Sequence, residues 1–325
     1  MKFLSKIFMY RLMFVSLLTR KILVRSLSTT GNMPHANIPP YMDAVQAAQK
    51  IWNDNYLFET DIHAVIPCYK DDDQKPRYRL AYMAMRNRGE ILRLMLEESG
   101  CSYELELIGF KNWENGVKAT TPQGKCPVLR NYNGEGKDLG QEGAITRFLA
   151  KKLGLCGRNA SEEAEVDSIY CFWFSTMRNN GISHDGEHFS VASLRDAAPT
   201  SERARYQEVF RLNTFSKAER SLMTLGYFEE LLEKSNSEFL VSGGITYVDF
   251  GLFYILFELA EEENVPDFAE KFHFPKLGAF LESMQNRPNI KEYIVSPGRM
   301  PRYKRSADGA SLYTYVEGKG SPRRS

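Results

Sequence analysis

Midway along this chain of 325 residues the hydrophobic pattern changes period, and that change restricts the fold more than any composition figure does. From 78 to 155 short alternating segments trade places with helical stripes. Arg79-Leu80-Ala81-Tyr82-Met83 reads as a strand, punctuated by Asn87 and Gly89. Glu90–Ser99 sets Ile91, Leu92, Met95 and Leu96 on one helical stripe, and Gly100 can end it. Tyr103–Leu107 alternates again. Strand, helix and strand in so short a span form a βαβ unit, whose strands are most simply parallel. A loop follows over Gly109–Gly124. Cys126–Leu129 with a turn at Asn131–Gly136 predicts a hairpin, and Gln141–Lys152 a helix with Ala144, Ile145, Phe148 and Leu149 inward.

After Gly157 only the helical period survives. Ser161-Glu162-Glu163-Ala164 opens a helix with acids suited to its dipole. Gly181–Pro199 reads as a long loop, and Arg203–Lys234 as one long or two short helices. Thr246 with Asp249 three residues on is a capping box for a helix over Gly251–Glu262. Phe274-Pro275-Lys276-Leu277 opens the last helix, which stops near Arg287-Pro288. The expected fold class is therefore α/β plus all-α: a thioredoxin-like domain over 78–155, then an all-helical domain over 156–296.

Composition narrows the function classes. An apolar fraction of 43% and a charged fraction of 26% are those of a globular protein. A net charge of +1 speaks against a dedicated nucleic-acid binder. No uncharged apolar run of membrane-spanning length occurs, so an integral membrane protein is not expected. Cys68, Cys101, Cys126, Cys156 and Cys171 are scattered and form no CxxC, so neither a disulfide framework nor a metal site is expected.

The ends differ from the body. Residues 1–33 carry Lys2, Lys6, Arg11, Arg20, Lys21 and Arg25 and no acid, and run into Arg25-Ser26-Leu27-Ser28-Thr29-Thr30. That is the composition of a mitochondrial presequence. The alternatives are a secretory signal, interrupted by Arg11, or a basic extension on a cytoplasmic protein. Residues 34–77 read as a linker with one short helix over Met42–Trp52, and 297–325 as a loose basic tail.

The body resembles the glutathione S-transferases. Tyr78–Tyr82 with Met85-Arg86-Asn87-Arg88-Gly89-Glu90 is similar to their opening. Trp113, then Gly124-Lys125-Cys126-Pro127-Val128-Leu129, then Leu139–Ile145 follow in the family's order. The match covers about 78–296 and looks most like the sigma class, which includes glutathione-dependent prostaglandin D synthases. The resemblance implies a Tyr82 hydroxyl that stabilises the glutathione thiolate, with Arg88 beside it. It implies Trp113, Lys118 and Lys125 at the glycine end of the tripeptide, with Gly124 in the same segment. It also implies a cis Cys126–Pro127 bond that turns the Cys126 backbone toward the cysteinyl amide, and Gln141 and Glu142 at the γ-glutamyl head. Glutathione would be the co-substrate, a hydrophobic electrophile the second substrate, and a homodimer the assembly. Without the motif, Tyr82 reads sooner as a core aromatic of a strand.

Three positions depart from the pattern. Glu142 stands where the family usually has serine, Asn87 where it usually has glycine, and Ser175 where the sigma class counts a partner-facing acid. Glu142 either takes over from that acid, receiving the γ-glutamyl ammonium, or obstructs the γ-glutamyl carboxylate. Two function classes follow: a transferase conjugating or isomerising an electrophile, or a non-catalytic relative that carries a ligand or serves a structural role.

Overall fold

A computed structural model of the chain describes residues 39–54, 60–70, 76–178, 188–206, 214–296, 298–300, 302–305 and 313–316. The presequence expected over 1–33 lies outside these residues. The first half is built on a five-stranded mixed sheet of order β1-β3-β2-β4-β5, with β1 His63–Cys68, β2 Tyr78–Met83, β3 Tyr103–Ile108, β4 Val128–Arg130 and β5 Leu139–Gly140. β2 and β3 are parallel, from Tyr78↔Tyr103 to Met83↔Ile108, as the intervening helix requires. β4 runs antiparallel to β2 (Leu80↔Leu129) and β5 antiparallel to β4. This is the expected thioredoxin-like arrangement.

The linker expected over 34–77 is corrected in part. Its helix, α1 (Ala44–Asp54), buries Ala47 and Ile51. β1 then pairs antiparallel with β3, from His63↔Ile108 to Cys68↔Tyr103, and forms the sheet's edge. Alternation does not betray this strand, because Ala64, Val65 and Ile66 are all buried and Pro67 interrupts the run. Proline is tolerated on an edge strand, where no ladder needs its missing N–H.

Three more helices complete this half: α2 (Glu90–Glu98), α3 (Phe110–Glu114) and α4 (Glu142–Leu153). α2 is the crossover between the parallel strands, with Ile91, Leu92, Met95 and Leu96 buried.

The second half is helical, from α5 (Ala160–Thr176) through α6 (Val191–Arg195), α7 (Lys217–Ser235), α8 (Tyr247–Leu259), α9 (Phe268–Lys271), α10 (Pro275–Asn286) and α11 (Pro288–Val295). α8 is apolar all round and buried almost throughout, so it is the central helix. Its start is held by Asp249, which accepts hydrogen bonds from the Thr246 N–H (2.7 Å), the Thr246 hydroxyl (2.8 Å) and the Leu240 N–H (2.9 Å). Trp173 of α5 lies directly on Gly251, where a methyl group would come within 2.9 Å of the indole. α6 breaks the loop expected over 181–199. Of the helix or helices expected over Arg203–Lys234, the described residues show α7 from Lys217, where Ser216 and Glu219 make a reciprocal capping box.

The loose tail is also corrected. Met300 is buried and the Arg299 side chain is only 4% exposed. Farther on, β6 (Arg302–Arg305) pairs antiparallel with β7 (Tyr313–Val316). Composition had suggested an unstructured end, but basic residues carry no information about a carboxylate waiting elsewhere in the fold. That carboxylate is Glu90, completely buried in α2.

Candidate active site

The site is assembled where β2 ends and α2 begins. Tyr82 is the penultimate residue of β2 and is 2% exposed. Its hydroxyl oxygen accepts a hydrogen bond from the Arg88 backbone N–H at 3.2 Å. Burial holds the phenol well above its ordinary pKa, with Arg88 pulling the other way, so the hydroxyl keeps its proton and is free to donate it. The turn between them is tight. Asn87 sits at φ 44, in the left-handed region where glycine and, next, asparagine are tolerated, which accounts for its place in a segment usually held by glycine. Gly89 is needed for space: a methyl group there would lie 2.5 Å from the Tyr82 ring.

Across the cleft, Glu142 is the first residue of α4 and is buried. Burial drives its carboxyl up to about 7, and Arg178 and then Arg88 oppose that rise. Arg178 Nε lies 3.6 Å and Arg88 Nε 4.0 Å from Glu142 Oε2. Neither Glu142 oxygen accepts a hydrogen bond among the described residues. The cleft between these groups is lined by Asn87, Arg88, Ile91, Glu142, Trp173, Arg178, Tyr254 and Ile255. Arg178 was not among the residues singled out from sequence. It follows the apolar stretch of α5, with its guanidinium 3.7 Å above the Phe174 ring, and nothing local distinguishes it from a surface arginine.

The other expected residues do not line this cleft. The Cys126–Pro127 peptide is cis, immediately before β4. The Cys126 thiol is pushed up to about 12 by burial, which suits a spectator rather than a reactive thiol. Lys118 and Lys125 are exposed, Trp113 is buried on α3, and Gly124, at φ 61, turns against the Lys118 side chain. Gln141, exposed at φ 71, occupies the N-cap position of α4 without a side-chain cap hydrogen bond. Tyr82 is joined to Arg88 and Arg88 to Glu142, while Gly124 lies against Lys118. Ser175 is exposed, its hydroxyl donating to the Phe172 carbonyl at 3.1 Å. No group of metal-ligating side chains occurs among the described residues.

Residues 193–297 match the C-terminal domain of glutathione S-transferases. Over 230 residues the chain is 30% identical to glutathione S-transferase 1 of Ascaris suum, covering 70% of this chain and 99% of that protein. The chain belongs to the glutathione S-transferase family. Glutathione S-transferase 4 of Caenorhabditis elegans is 29% identical over 228 residues, covering 68% of this chain and 97% of its own. Two solved structures superpose with a TM-score of 0.51. One is the Ascaris lumbricoides glutathione S-transferase, 27% identical, covering 68% of this chain and 100% of its own. The other is described as monomeric Na-GST-3, a glutathione S-transferase of the hookworm Necator americanus; it is 28% identical and covers 67% and 95%. As in these transferases, a thioredoxin-like domain precedes a helical one.

Proposed function

We propose that this transferase binds glutathione against the β2–α2 turn and uses Tyr82 to stabilise its thiolate for attack on a hydrophobic electrophile. The observation that carries this reading is the buried Tyr82 hydroxyl, protonated and hydrogen-bonded by the backbone N–H of Arg88, a residue that itself lines a cleft with a second guanidinium, Arg178, and the Glu142 carboxyl. A free cysteinyl thiol has a pKa of about 8.5. A hydroxyl that donates to sulfur stabilises the anion more than the thiol and lowers that value. The thiolate then forms a bond to an electrophilic carbon, and the electron pair passes to the leaving group or to the opened π-system; with an endoperoxide it bonds to one oxygen, the O–O bond breaks and the other oxygen takes a proton. When that S–O adduct loses the proton of the adjoining C–H to solvent, the S–O bond breaks, the carbonyl isomer is released and the thiolate returns, the chemistry that a sigma-class relationship would favour.

Glu142 fits this reading as the receiver of the γ-glutamyl ammonium, with Arg88 and Arg178 facing the α-carboxylate. A buried carboxylate without hydrogen bonds is costly, and an ammonium would satisfy it. Trp113, Lys118 and Lys125 would meet the glycine carboxylate, and the backbone at Cys126 the cysteinyl amide. A homodimer is part of the proposal.

The test is Tyr82→Phe. Conjugation of a thiol-reactive aromatic electrophile should fall by on the order of 10²–10³. Glutathione affinity, measured by calorimetry, should stay within a few fold. Unchanged turnover would remove Tyr82 from this role, and failure of the wild type to bind glutathione would favour the non-catalytic alternative.

A further inference from the structure

A second cluster of charges adjoins the β2–α2 turn. Glu90, the first residue of α2, has no solvent exposure. Its Oε2 accepts hydrogen bonds from Arg93 Nη2 (2.7 Å), Arg93 Nε (3.0 Å) and the Tyr293 hydroxyl (3.0 Å), and its Oε1 from Arg299 Nε (2.9 Å). Arg93 Nη2 also donates to the carbonyls of Met85 (3.0 Å) and Arg86 (3.1 Å), which are backbone of the turn itself. Arg86 in turn donates from Nε to the Met300 carbonyl (2.9 Å) and from Nη1 to Glu261 (2.7 Å). The segment 298–300 therefore grips the turn at two points. One is the Arg299 side chain, the other the Met300 carbonyl. The Arg299 guanidinium is seated 4.4 Å over the Phe257 ring of α8. These residues lie past the end of the family-domain match at residue 297.

We propose that residues 298–300 form a C-terminal clasp, and that Arg299 is a positioning residue for Tyr82, holding the 85–89 turn so that the Arg88 N–H points at the phenol oxygen. The inference rests on Tyr82 being the thiolate donor. The physical reason is charge balance in a sealed site. Arg299 is the partner of Glu90 Oε1, and without it that oxygen is left buried and unpaired. Glu90 and Arg93 must then move to regain partners or water. Arg93 carries the Met85 and Arg86 carbonyls with it, and Arg88 is two residues on. A hydrogen bond of 3.2 Å weakens steeply with small changes in distance and angle.

The test is the pH titration of thiolate absorbance for glutathione bound to wild type, Arg299→Met, Arg299→Lys and Tyr82→Phe. Arg299→Met should raise the pKa of the bound thiol by about one unit and lower kcat/KM at pH 6.5 about tenfold, with KM for glutathione changed less than about twofold. Lysine should restore most of the shift. In the Tyr82→Phe background, Arg299→Met should add nothing further, because both act through one hydrogen bond. A residue that served stability alone would lower the melting temperature and leave the thiol titration where it was, and that result in folded Arg299→Met overturns the proposal. If Arg299→Met does not fold, Tyr293→Phe carries the test. It removes one donor to Glu90, and the absence of any upward shift overturns the proposal. If Tyr82→Phe itself leaves the titration unchanged, the assignment of Tyr82 falls and the clasp's role falls with it. If Tyr82→Phe moves the titration and Arg299→Met does not, only the clasp's role falls.

Discussion

Glu142 is the residue whose chemistry departs furthest from its relatives, and it makes a two-part prediction. Its carboxyl titrates near 7 in the folded chain against an ordinary 4.5. A raised carboxyl contributes stability below the unfolded value and loses it as pH rises through the folded value. Between pH 4.5 and 7 wild type should therefore lose about 3 kcal/mol that Glu142→Gln, a mimic of the protonated acid, does not lose. Denaturant unfolding at pH 5 and pH 8 measures this as a variant-minus-wild-type difference that grows with pH. Ligand binding should move the opposite way. S-methylglutathione, which has no titrating thiol, should bind wild type more tightly as pH rises from 6 to 8, because the ammonium needs the ionised carboxylate. Glu142→Gln should show no such slope and weaker binding at pH 8, by roughly 1–3 kcal/mol. Tighter binding by the variant at neutral pH would identify Glu142 as an obstacle instead. Asn87 and Gly89 were legible at this scale, since each answers a local need of backbone or space. Arg178 was not, because its partner is 36 positions away in sequence and nothing beside it signals the pairing.

At the scale of elements, local signals were dependable wherever a segment satisfied its own ends. The stripe of α2, that of α4 except for the exposed Ala144, and the capping residues of α8 were readable because periodicity and caps are properties of neighbours. Asp249 is completely buried and accepts from two backbone N–H groups and one hydroxyl, and burial raises its carboxyl to about 6. Asp249→Ala leaves those donors unpaired at the start of the central helix. The variant should be about 2–4 kcal/mol less stable in urea unfolding at pH 7.5. A loss under about 0.5 kcal/mol would mean the cap is dispensable. β1 escaped notice for the converse reason. An edge strand whose residues are buried on both faces has no period, and its evidence is the partner strand.

For the whole molecule, two expectations concern what the folded body does in company. The apolar stretch of α5 buries Ile169, Tyr170 and Trp173 within the chain and leaves Phe172 and Phe174 half-buried. A homodimer would use that remainder. Sedimentation equilibrium at micromolar concentration should give twice the chain mass of 37.3 kDa, and a monomer would refute the expectation. The described structure of the Necator relative as monomeric makes this measurement decisive. Residues 1–33 lie outside the described residues, and their proposed role is import into mitochondria with removal after Leu27. A fluorescent fusion of residues 1–40 should co-localise with mitochondria; diffuse cytosolic fluorescence would overturn this.

The amino-acid sequence by itself determined the βαβ unit, the change from mixed strands and helices to helices alone, the capping box of α8, and the place of Tyr82 near the end of β2. All of these depend on spacing along the chain. Tertiary structure alone decided that residues 63–68 complete the sheet, that Arg178 meets Glu142, and that Arg299 returns to close on Glu90. Each of those contacts joins groups far apart in sequence. The free energy that makes it, whether a ladder hydrogen bond or the pairing of a charge removed from water, exists only once folding has brought both partners together.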